Sequence, residues 1–167
     1  MSIYSTIDRP EVVQGVLSTG VLIGLAGGLA EILVVCLYSA STGGDASMIA
    51  RHVALAVGLN GASVAAGIAV HLGLAVVLGI ALSATVQSLV ALLTRDVAIW
   101  AFMMGSLAVV WAMNFFVVLP VISPSFVHLL PYAITFASKL AFGIAAAAAL
   151  QAVRPVRVTI DRDPSSN

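Results

Sequence analysis

From Val12 to Tyr38 the chain stays apolar for about 27 residues, with Glu31 as its one charged side chain, and that is long enough to cross a bilayer with some tilt. Three more runs of this kind follow: Ala62 to Val86 (with a reading that extends to Leu93), Val97 to Leu119, and Tyr132 to Val153. Within 167 residues, four such runs leave room only for connections. Charged residues make up 8% of the chain, against roughly 25% in an ordinary soluble domain. A globule could not be covered with so few polar groups, so lipid must be the solvent. The expected fold is therefore all-α: a polytopic membrane protein of four transmembrane helices, with a short interfacial helix between the first two. Residues 1–153 form one transmembrane domain, and residues 154–167 a polar cytoplasmic tail.

The lead from Met1 to Glu11 is polar, with Pro10 suited to a first helical turn and Asp8 to its cap. The first apolar run far exceeds a signal-peptide core of about 7–15 residues, so it reads as an uncleaved anchor. Net charge is zero, which gives no support for nucleic-acid binding. Cys36 is the only cysteine, so neither an internal disulfide nor a multi-cysteine zinc site is available. No GxGxxG follows a strand, and no P-loop, HExxH or GxSxG is present. No enzyme and no cofactor are expected.

Inside the first run, Gly20, Gly24, Gly27 and Glu31 step by four, three and four residues. On a helix this spacing puts three glycines and a carboxylate on one stripe. Glycines let helix backbones approach in lipid, and a carboxylate at membrane depth needs a partner. Lys139 in the fourth run is the natural candidate, with Gly27 and Gly143 allowing the first and last helices to come close.

The connections have their own grammar. Ser41, Thr42, Gly43, Gly44 and Asp45 are turn residues, and Asp45 suits the cap of a short helix from Ala46 to Val57. That helix would bury Met48, Ile49, Val53 and Ala56 and present Arg51 and His52, as an interfacial segment does. Asn60 and Gly61 form a break, and Thr94, Arg95 and Asp96 a tight turn. Trp100 and Trp111 fit interfacial aromatic belts. Pro120 is expected to stop the third span. The stretch from Pro120 to Pro131 is apolar yet carries three prolines, so it should fold onto the membrane surface, with a short turn from Ser125 carrying Phe126, His128 and Leu129.

With four spans, Arg9, Arg95, Arg154, Arg157 and Arg162 fall on one side and Arg51 on the other, so both termini should be cytoplasmic. At 1.5 Å per residue, Glu31, Lys139, His71 and Asn114 then lie about 10, 12, 14 and 8 Å below the outer face. One polar residue per helix at one level makes a candidate cluster. An unpaired charge near mid-membrane costs about 2.5–3.5 kcal/mol on insertion scales, and pairing Glu31 with Lys139 relieves part of it for both. His71 and Asn114 would fill the remaining hydrogen-bonding positions. Each residue also has a plainer reading. Glu31 can be a neutral carboxylic acid in an interface, Lys139 can snorkel outward, and His71 can be a satisfied interior histidine. A carboxylate with His71 and His128 would make a metal set, but no motif spacing supports one. Met103 and Met104 read as packing.

The glycine-rich first helix ending in Ala30, Glu31, Ile32 and Leu33 is the first of several short signatures. The others are Val70, His71 and Leu72 followed by Gly73 and Gly79; Val118, Leu119 and Pro120; and Lys139, Leu140, Ala141, Phe142 and Gly143. Together they resemble the small four-helix bacterial inner-membrane proteins of the YagU-like kind. The resemblance runs from Gly15 to Gln151, with no counterpart for Ile122 to Tyr132. That family has a proposed part in acid tolerance; the resemblance implies an architecture and an inner-membrane location, and no reaction. Three functional classes follow. One is a structural or accessory membrane protein, stress-related or part of a larger membrane complex or homo-oligomer. A second is a small oligomeric transporter, channel or proton-responsive protein. A third is an accessory subunit of a membrane redox assembly.

Overall fold

The computed structural model describes residues 9–89 and 96–153. The Asp8 cap, the extension to Leu93, Arg95 of the tight turn, and Arg154, Arg157 and Arg162 of the tail lie outside the described residues. The described chain is helical throughout: α1 (Arg9–Thr42), α2 (Ala46–Ala56), α3 (Val64–Ser88), α4 (Asp96–Met113), a π-helical turn (Asn114–Val118), α5 (Leu119–Ile122), α6 (Pro124–Val127) and α7 (Tyr132–Val153). Four helical stretches, Gln14–Thr42, Val64–Ser88, Asp96–Ile122 and Tyr132–Val153, are long and apolar enough to cross a membrane. Their outward faces are apolar as well: Leu33, Leu37, Val77 and Val109 are all more than half exposed. In water such a surface would be a liability, whereas in lipid it is the solvated one.

Local chemistry sets the helix ends. α1 runs four residues past Tyr38. Its last turn is tied back by Ser41 and Thr42, whose hydroxyls donate to the Tyr38 carbonyl at 2.8 and 2.9 Å. Gly43 then takes a φ of +70°, and the Gly44 N–H reaches the Ser39 carbonyl at 2.8 Å. This is a Schellman ending, which only a residue tolerant of left-handed backbone closes cheaply. Asp45 caps α2 by accepting from the Ser47 N–H at 2.8 Å. Ser63 caps α3 by accepting from the Ala66 N–H at 3.2 Å. The face that α2 buries differs from the expected one: Ile49 and Ala54 are buried, while Met48 is exposed. The reason is Gly67 of α3, which comes so close to the Ala50 carbonyl that α2 is turned to present the Ala50 side of its backbone.

Hydrogen bonds from the Ser47 hydroxyl, then from its backbone N–H, hold the Asp45 carboxyl below its ordinary value of 3.8. A lowered folded-state value means that the capping contribution is complete above the unfolded value and is lost as pH falls through the folded one. Amide protection factors at Ser47 and Met48, which correct for the intrinsic pH dependence of exchange, should therefore be highest at pH 5 and fall on acidification below about pH 4. In Asp45→Asn, which keeps an acceptor at the cap, that fall should disappear.

Pro120 does not end the third span. The helix continues through it to Ile122, and the π-helical turn lies immediately before it. A proline inside an α-helix lacks the N–H that would reach four residues back and clashes with that carbonyl, here Phe116. Widening the preceding turn relieves both problems, and the Leu119 N–H bonds five residues back to the Asn114 carbonyl. The break comes instead at Ser123, whose φ of −153° and ψ of 71° leave the helix, before the single turn of α6.

In space, α3 packs on α1, α1 on α7, and α7 on α4, while α2 lies across α3. α3 and α4 hardly touch, so the bundle is a row of four that folds toward closure without sealing. Ile23, Ile99, Met103, Leu107, Phe142 and Ala146, all fully buried, form its core. The glycines explain the order of the row. A Cβ on Gly20 would sit 2.5 Å from the Ile80 backbone, and one on Gly24 would sit 2.5 Å from the Ala75 carbonyl. Gly79 faces the same contact from α3. Gly20 and Gly24 therefore serve α3, and Gly27, which meets the Phe142 ring, serves α7. The single stripe expected from the spacing is split between two neighbours. Gly143 is likewise reassigned: it meets Met104 and Leu107 and brings α7 onto α4, not onto α1.

Candidate functional site: a buried ion pair in the wall of a cavity

Glu31 sits one helical turn beyond Gly27 on the face of α1 turned to α7. Lys139 sits one turn before Phe142 and Gly143 on α7. With Gly27 lacking a side chain, the Phe142 ring lies against α1 and brings Lys139 level with Glu31. The Lys139 Nζ lies 2.7 Å from the Glu31 Oε1. The side chains retain only 15% and 6% of their exposure, and water is not what stabilises the charges. The Lys139 ammonium also lies 5.6 Å from the centre of the Phe142 ring, close enough for cation–π attraction.

His71 approaches from α3. Its Nε2 is 3.3 Å from the Gly28 carbonyl and 3.7 Å from the Glu31 Oε2. A carbonyl can only accept, so Nε2 carries the hydrogen in this contact. Because Gly28 also lies against Ala75 and Leu72, α3 runs close enough for His71 to reach both groups. Helices α1, α3 and α7 thus each bring one polar side chain to one point. α7 and α3 connect to Glu31 by different contacts: a short ion pair from Lys139 and a longer approach from His71.

Asn114 does not join them by a hydrogen bond among the described residues. It opens the π-helical turn and lines the same cavity. That cavity has a volume of about 750 Å³ and lies between α3 and the α4–α5 stretch, with α2 and α6 contributing residues to its wall. Glu31, His71, Lys139 and Asn114 are its polar landmarks, and most of the remaining wall is aliphatic or aromatic. The space exists because α3 and α4 do not close on each other.

Several contributors are not evident in the sequence reading. The Gly28 carbonyl, which takes the His71 contact, is one, and a search for steps of four from Gly20 and Gly24 would have found that glycine. Trp111 is another: its indole N–H donates to the Thr135 hydroxyl at 3.0 Å, and its ring packs on Phe115 and Phe136. It ties α4 to α7, so it is more than an interfacial belt residue. His128, at the end of α6, is exposed and lies off the cavity wall. Among the described residues no three His, Cys, Asp or Glu side chains gather as a metal site, so the set with Glu31 and His71 is not assembled.

Fold and site together define a multi-pass, all-α membrane protein with a buried ion pair in the wall of a cavity between its helices. No family model, curated protein or solved structure matches the chain.

Proposed function

We propose that this chain is a non-catalytic accessory protein of the bacterial inner membrane, with both termini cytoplasmic, in which the Glu31–Lys139 pair fastens the first span to the last. The observation that carries the reading is the 2.7 Å contact between two side chains almost removed from solvent. Lone charges in lipid are costly, so a matched pair makes one helix register much better than its neighbours. The resemblance to YagU-like proteins supports the compartment and a stress-related setting.

A second reading has its own support. His71 keeps a quarter of its side-chain exposure, and its Nε2 faces the Glu31 carboxylate at 3.7 Å on a cavity wall. A protonatable pair beside open space is what a proton-responsive transporter requires. Proton leak in liposomes carrying a pH gradient separates the two. The accessory reading expects wild type and the folded Glu31→Gln, Lys139→Met double variant to leak at the rate of empty vesicles. A wild-type proton current that the double variant abolishes would replace it with the transporter reading.

A further inference from the structure

The cavity has a chemistry of its own, independent of whether the ion pair serves as a fastener. We propose that it binds a neutral amphiphile of the quinone class: a flat, carbonyl-bearing ring head with an apolar tail.

Size comes first. About 750 Å³ falls within the range of small-molecule sites, roughly 300–1,000 Å³, which are typically apolar with a few placed polar groups. Charge decides the head group. Lys139 spends one of its three N–H donors on Glu31, and both residues line the cavity. An anionic head would set a second negative charge beside Glu31, and a cationic head would meet Lys139. A neutral head that accepts hydrogen bonds avoids both conflicts and uses the remaining ammonium donors. The Asn114 amide, which lines the same cavity from the π-helical turn, supplies a second polar contact for a head with carbonyls at both ends.

Shape favours a ring. Phe126, half-buried, and the edge of Phe115 line the cavity and offer ring contacts to a flat head. The tail has its own place along Leu74, Val77 and Leu78 of α3 and Val118 of the π-helical turn. Leu74 and Val77 are more than half exposed, so the tail runs out between α3 and α4 to the lipid-facing surface. The ligand would therefore enter from the bilayer.

Trp111 provides the readout. Its ring centre is 5.7 Å from that of Phe115, which lines the cavity, and a bound quinone would quench its fluorescence. The chain has two tryptophans, so Trp100→Phe leaves Trp111 as sole reporter. The full chain with that substitution is titrated in nanodiscs with decylbenzoquinone. Saturable quenching is expected. Adding Glu31→Gln and Lys139→Met together should weaken it by about tenfold or more, as loss of a hydrogen bond from a charged donor does. Asn114→Leu, which leaves the ion pair intact, should weaken it as well, and circular dichroism confirms that each variant is folded. Palmitate and decane should fail to relieve the quenching. Quenching that never saturates overturns the proposal, as does unchanged affinity in both variants. Displacement by decane would reveal a groove for ordinary acyl chains, and displacement by palmitate an anionic head; either also overturns it. Unfolding of the double variant reports separately on the fastening role, so the two ideas fail independently.

Discussion

Glu31→Gln should lower the stability of the purified protein by about 3–5 kcal/mol, the usual cost of removing one partner from a buried ion pair. The substitution keeps the shape of the side chain and strands the Lys139 ammonium, which is 15% exposed and has its close contact with Glu31. Lys139→Met should cost a similar amount by stranding the carboxylate. Combined, the two changes should bring stability back to within about 1–3 kcal/mol of wild type, because no charge is left stranded and only the glutamine amide has lost its partner. Unfolding in an SDS titration, followed by helicity, measures all four corners of the cycle. Additive losses in the double variant would mean that the two side chains are not coupled, whatever their separation. His71→Leu is a useful fifth point, since its contacts at 3.3 and 3.7 Å are too long to be worth much.

The second large effect concerns backbone contact. Gly24→Leu should destabilise the protein by about 3 kcal/mol, at the upper end for overpacking. Its first side-chain atom would fall 2.5 Å from the Ala75 carbonyl and 2.7 Å from the Val76 Cα. Both are backbone atoms of α3, so no rotamer change can clear the way and the helices must part. Since His71 reaches Gly28 and Glu31 from α3, parting them should also open the polar site. Gly73→Leu on the same α3 is the control: nothing lies within 4 Å of its new Cβ, and it should be neutral or slightly stabilising. The same unfolding titration compares them. Equal losses for Gly24→Leu and Gly73→Leu would show that the close α1–α3 contact at Gly24 is not what makes that substitution costly.

The plan of four apolar helices was legible because lipid imposes a simple rule. Every backbone polar group must be bonded within its own helix, so span length and apolar content nearly suffice to find the spans. The short capped helix from Ala46 was legible for a different reason, since Asp45 after two glycines is a local signal that needs no tertiary partner. Pro120 shows where local reading stops. Proline chemistry disfavours a helix interior, but it does not say that five residues upstream will widen into a π-turn to let the helix pass.

The polar site divides in the same way. That Glu31 and Lys139 required opposite partners followed from their type and depth alone, because two lone charges in oil have few inexpensive solutions. Which glycine serves which neighbour did not follow. Gly20, Gly24 and Gly27 share a stripe by helical arithmetic, but a stripe on α1 is wide enough to be divided between α3 and α7. Only the three-dimensional order of the row sends Gly24 to Ala75, Gly27 to Phe142 and Gly143 to Met104. The cavity is the clearest case of a feature decided by tertiary structure. It results from α3 and α4 failing to close, and no residue of either helix announces that failure. Composition and periodicity determine what each helix must hide from lipid or pair within it; how rigid, uneven cylinders pack determines where space is left over.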